Sequence, residues 1–186
     1  MQLNAKRADL AAFADNVPPA ESDEACVRAF QDELVYVHHP LRRLGAPPSD
    51  IEDLMQDVFL ALRGSWARCD RSRPLRPYLF GIAFRIVSAH RRKRDREMPF
   101  GVIEPIDEQA GAEDRLQSKQ ARRLVLAALG RVPLPRRAVL IMHELDDVPV
   151  ADVASTLRIP RFTVYSRLRK ARRELSAALR AVVNEV

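Results

Sequence analysis

The chain has 186 residues, a net charge of +6, a pI near 9.9 and 47% apolar residues, which suits one medium domain or two small ones with an acidic partner. Six glycines and 13 prolines argue against a glycine-rich sheet protein. Two cysteines, Cys26 and Cys69, lack CxxC spacing and cannot make a Cys-rich zinc site. No run approaches the ~20 apolar residues of a membrane span. The charged N-terminus is no signal peptide, so the expected location is the cytoplasm.

Residues 1–21 read as a loose or weakly helical arm ending in "NVPPAES", where Pro18-Pro19 stops any helix. From Ala25 to Leu44, Val27, Phe30, Leu34, Val37, Leu41 and Leu44 step by three or four, which predicts one amphipathic helix kinked at Pro40. Ser49 with Glu52 has capping-box spacing and restarts the helix. Ile51, Leu54, Met55, Val58, Phe59 and Leu62 form its apolar stripe. Asp50, Glu52, Asp53 and Asp57 make its start acidic. A helix macrodipole accounts for Asp50 to Asp53 but not for Asp57. Docking of an acidic face on a basic partner accounts for all four, and the residues alone leave both readings open.

"ARCDRSRPLRP" is a basic loop, and a helix is expected from Tyr78 to about Arg94. Nine Arg or Lys lie between Arg71 and Arg96 against one acid, Asp95, with Tyr78, Phe80 and Phe84 interleaved. Such a mixture suits a single strand with stacked or flipped bases. A solvated, dipole-favoured helix end is the plainer account of the "RRKRDR" run. From Glu97 to Ser118 the balance inverts to six acids and one base, among Pro99, Gly101, Pro105 and Gly111. The segment reads as an acidic flexible linker.

The second half carries helical stripes at Leu124, Val125, Ala128 and Leu129 and at Val139, Leu140, Met142, His143 and Leu145. Then come a short helix Val150–Leu157, a turn at Arg158-Ile159-Pro160 and a long basic helix with a Val164, Leu168, Ala171, Leu175 stripe. That is helix–turn–helix form, with Ala154 small enough for a close crossing. Arg161, Thr163, Tyr165, Ser166, Arg169, Lys170 and Arg173 are its candidate contacts to duplex DNA. Arg172 and Arg173 are expected on phosphates. The fold class is all-α: an arm 1–21, a helical domain 22–97, a linker 98–114 and a helix–turn–helix domain 115–186. The histidines lack ligand spacing, no nucleotide or catalytic motif is present, and no cofactor or metal is expected.

In this layout the chain resembles the extracytoplasmic-function (ECF) group of the bacterial sigma-70 family, over roughly residues 25–97 and 115–182. "DIEDLMQDVFLAL" is similar to the family's region 2.2. The resemblance implies that Asp50, Glu52, Asp53, Leu54, Gln56 and Asp57 dock on the β′ clamp of core RNA polymerase. "PLRPYLFGIAFRIVSAHRRKR" is similar to regions 2.3 and 2.4. This implies −10 promoter contacts from Arg71, Arg73, Arg76, Tyr78, Arg85, His90, Arg91, Arg92 and Lys93. The C-terminal hairpin is similar to region 4, which implies −35 recognition and docking on the β flap. An anti-sigma factor is a further implied partner. Tyr78 stands where the family has Trp, and Phe84-Arg85 where it has Arg-Asn. Phe162 stands where the family has Gly, a substitution expected to alter the turn. The alternative is a stand-alone helix–turn–helix regulator of duplex DNA, for which the acidic helix and the single-strand-type patch have no use.

Overall fold

A computed structural model describes residues 20–97 and 113–184, with side chains over 23–96 and 120–184. The predicted arm and linker lie outside these residues except at their inner ends. Helices run Ala20–Asp32 (α1), Leu34–Leu44 (α2), Ile51–Ser65 (α3), Leu75–Glu97 (α4), Glu113–Arg131 (α5), Leu134–Leu140 (α6), Val150–Leu157 (α7) and Arg161–Asn184 (α8). Short 3₁₀ turns at Pro48–Asp50 and Trp66–Arg68 flank α3, and a π turn, Ile141–Leu145, extends α6. No strand occurs among the described residues. Both halves are helical, as their periodicity predicts.

Three local departures have physical causes. The predicted first helix is two helices. The break falls at Glu33, whose carboxylate binds Arg76, and the helix continues through Pro40. The capping box does not form. Pro47 and Pro48 lead into a 3₁₀ turn instead, and Ser49 Oγ donates to Asp50 Oδ1 at 2.7 Å. The left-handed residue of the helix–turn–helix is Arg158, at φ 53°, so the turn is made there. Phe162, where the resemblance predicted a change of turn, sits in the first turn of α8.

In the first module Val37, Leu41, Leu44, Leu54, Val58, Leu62, Leu79, Phe80 and Val87 are buried together. In the second, α5 packs along the C-terminal half of α8 through Ala128, Ala178 and Val182, and Leu129, Val132, Leu140 and Ala171 lie beside them. Val139, Ile141, Met142, Val153, Ala154, Val164 and Leu168 join the first module's cluster. The two modules therefore share one apolar core, with α2 against α5 and α6, and α4 against α7.

Candidate nucleic-acid and polymerase interface

On α3 the buried stripe Ile51, Leu54, Val58 and Leu62 turns Glu52, Asp53, Gln56 and Asp57 outward together. No ion pair engages these three carboxylates among the described residues. Leu54 is not part of that surface: it is 3% exposed and belongs to the core, because it lies on the apolar stripe. Asp50 sits in the preceding 3₁₀ turn, its Oδ2 3.0 Å from His90 Nε2. That contact joins one candidate polymerase residue to one candidate −10 residue.

The −10 candidates do not converge on one site. Arg71, Arg73 and Arg76 lie in the loop before α4 and in its first turn, and His90 to Lys93 lie near its other end. Arg76 and Arg92 are about 24 Å apart along the axis at 1.5 Å per residue. Arg71 lies over the Trp66 ring, 5.9 Å from its centroid. Arg73 donates to Asp152 Oδ1 on α7 at 2.6 Å. Arg76 is held by Glu33 and lies over Tyr36. Tyr78 is half-buried against the core. Arg85 is surface-exposed, with its guanidinium pKa lowered by partial desolvation and by Arg158 across the seam.

The α8 residues do share a face. At 100° per residue, Phe162, Tyr165, Ser166, Arg169 and Arg173 point opposite Val164, Leu168 and Ala171, which are buried. Arg161 and Lys170 are exposed at its margins and Thr163 is half-buried. Arg172, expected on phosphate, is bound to Glu144 instead, with Nε 3.1 Å from Oε1.

Sequence reasoning missed the polar seam between the modules. Asp146 accepts from Tyr36 Oη and Arg43 Nη1, each at 3.0 Å. Burial raises its pKa, and the two donors lower it by less. Arg137 is 2% exposed and binds only carbonyls: Leu44 O at 2.8 Å, Val132 O at 2.9 Å, and Gly130 O. Those oxygens end α2 and α5, where unsatisfied carbonyls carry the negative pole of each helix. Two helix ends thus stand in for the missing carboxylate, although burial still pushes the guanidinium down to about 10. Nothing in the spacing of "PLPRRAVL" separates buried Arg137 from its neighbour Arg136, which pairs with Glu174. Cys26, pushed up to about 11 by burial, and Cys69, also raised, are not activated thiolates.

Residues 27–97 match the family model for sigma-70 region 2, and residues 122–175 match that for sigma-70 region 4. The chain belongs to the ECF group of the sigma-70 family. Among its relatives is the RNA polymerase sigma factor CnrH of Cupriavidus metallidurans, 27% identical over 183 residues, covering 90% of this chain and 95% of that one. The ECF sigma factor SigL of Mycobacterium tuberculosis is 29% identical over 164 residues, covering 86% and 92%. The fold is that of CnrH in complex with the cytosolic domain of CnrY, with a TM-score of 0.61 at 22% identity over 92% of this chain and 94% of that one. It is also that of the sigma factor RpoE in complex with the anti-sigma factor NepR from Bartonella quintana, with a TM-score of 0.65 at 23% identity over 82% and 98%. Among its described residues this sigma factor is all-helical, with a region 2 and a region 4 module. None of its described helices is long and apolar enough to cross a membrane.

Proposed function

We propose that this sigma factor carries core RNA polymerase to its promoters through three surfaces and catalyses no reaction itself. The outward acids of α3 dock on the β′ clamp. The outward face of α8 enters the major groove at −35. The loop before α4 and the basic half of α4 hold unpaired bases at −10, where unstacking costs roughly a few kcal/mol. The module boundaries proposed are 22–97 and 115–186, with the acidic segment 98–114 between them and region 4 also meeting the β flap. The factor acts in the cytoplasm and is restrained by an anti-sigma factor, as the relative crystallised with NepR is a sigma factor in such a complex.

The observation that carries the reading is α3. Glu52, Asp53 and Asp57 are exposed side by side with no ion pair among the described residues, while Leu54 and Val58 anchor the helix beneath them. A stand-alone DNA-binding regulator has no use for that face. The test is capture of core polymerase by Asp53→Lys. Capture is expected to fall at least tenfold with an unchanged melting temperature, and specific transcripts in vitro should fall with it. Undiminished capture removes the docking role.

A further inference from the structure

Two of the most exposed large apolar side chains lie one turn apart at the start of α8: Phe162, 74% exposed, and Tyr165, 63% exposed. Neither belongs to the stripe that holds α8 to the core, since Val164 and Leu168 occupy that side and are buried. An exposed aromatic pair at the tip of a helix is a contact surface in want of a partner. Its surroundings say what kind. Arg161, Arg169, Lys170 and Arg173 flank the pair, all exposed and with no ion pair among the described residues. These cations suit phosphates on either side of a groove. Phe162 itself has no donor or acceptor, so it cannot read the hydrogen-bonding edge of any base. In the major groove the one base feature matching an apolar side chain is the thymine C5-methyl group.

We propose that Phe162 is a specificity-determining residue that reads a thymine methyl in the upstream promoter element, with Tyr165 closing the contact from the next turn. The inference rests on the reading that α8 enters the major groove of duplex DNA. The geometry favours it over a contact with a protein partner, because the aromatic pair shares its face with Ser166, Arg169 and Arg173 and is bordered by cations rather than by further apolar side chains. Placing one methyl against the ring removes about one CH₂ equivalent from water, which corresponds to roughly fourfold in affinity.

The experiment uses holoenzyme reconstituted from the full chain and core polymerase, on a promoter selected from a random duplex library. Each thymine of the protected upstream element is replaced in turn by deoxyuridine, which removes the methyl and nothing else. One substitution is expected to weaken binding about fourfold. Phe162→Ala should bind the thymine duplex about fourfold less tightly and show no further loss on the uracil duplex, while Phe162→Leu keeps the methyl dependence. Far-UV circular dichroism and melting should be unchanged in both variants, since the ring contributes little to the core. A Phe162→Ala loss equal on thymine and uracil duplexes overturns the proposal, as does full binding by that variant, which assigns the pair to a protein surface. Failure of the native holoenzyme to protect any upstream duplex is a different result: it removes the groove-entry reading on which the proposal stands.

Discussion

Asp146 shows how a single side chain can hold two modules at a thermodynamic cost. Its carboxylate meets Tyr36 Oη and Arg43 Nη1 across the seam, yet its pKa is raised, because burial outweighs both donors. The folded protein therefore keeps this proton to a higher pH than the unfolded chain does. Stability from this group is greatest below the ordinary carboxylate pKa of 3.8, falls as pH rises through the raised value, and is flat above it. Asn fills the same space, still accepts from Tyr36 and carries no charge to bury. In melts of the native protein and Asp146→Asn from pH 3.5 to 7, the native protein's relative advantage is expected to shrink as pH rises and then level off. An advantage that grows with pH would mean that the Arg43 ion pair outweighs desolvation.

At the scale of helices, caps decide what the modules offer each other. Gly45 ends α2 in the left-handed region at φ 92°, and its N–H bonds back to Arg42 O at 2.9 Å. A Cβ there would come within 2.6 Å of Arg137 Nη1, the group that joins the ends of α2 and α5. Gly45→Ala therefore meets two penalties: about 1 kcal/mol for the left-handed backbone, and displacement of a buried cation from carbonyls whose loss costs roughly 1–3 kcal/mol each. The expected outcome is a loss of at least about 2 kcal/mol in denaturant unfolding, and a melting temperature within a degree of the native one would refute it. Helices such as α3 and α8 were legible from periodicity alone, because a buried stripe every three or four residues repeats over several turns. Their outward faces followed as the complement of those stripes. Helix ends were not legible. The residue at the break, Glu33, pairs with Arg76, 43 residues away, and the π turn shows in the bond from Asp146 N to Ile141 O at 3.0 Å. Arg137 escaped for a related reason: its compensation comes from carbonyls, which every sequence has and none advertises.

For the molecule as a whole, the seam and the proposed task are in conflict. Elements at −10 and −35 are separated by roughly 25 base pairs, about 85 Å of B-form duplex at 3.4 Å per pair. Here α4 packs directly on α7, and Arg73, a proposed −10 contact, is tied to Asp152 beside the recognition helix. On the proposed assignment both modules cannot reach their elements in this arrangement, and that reading requires it to open when polymerase and promoter are bound. Two of the seam's polar contacts resist opening only weakly: Arg73–Asp152 is half-exposed and worth at most about 1 kcal/mol, and Asp146 is a buried charge held at a cost. The shared apolar core and the Arg137 bonds are what binding must overcome. Between α4 and α7 the backbones approach closely at Gly81, where an added Cβ would lie 2.9 Å from Thr156 Cγ2. Gly81→Val should therefore act as a wedge that parts the modules while leaving each folded. Small-angle scattering of the free factor is expected to show a radius of gyration clearly above the roughly 16 Å of a compact chain of this length, with helical circular dichroism retained. Binding to a forked promoter probe without polymerase should rise in parallel, as Arg73 is released. Pairing Gly81→Ala with Thr156→Ala removes the clash and should restore the compact form. A Gly81→Val protein as compact as the native one, with no gain in DNA binding, would show that the modules accommodate the wedge and that their packing does not restrain the DNA-binding loop.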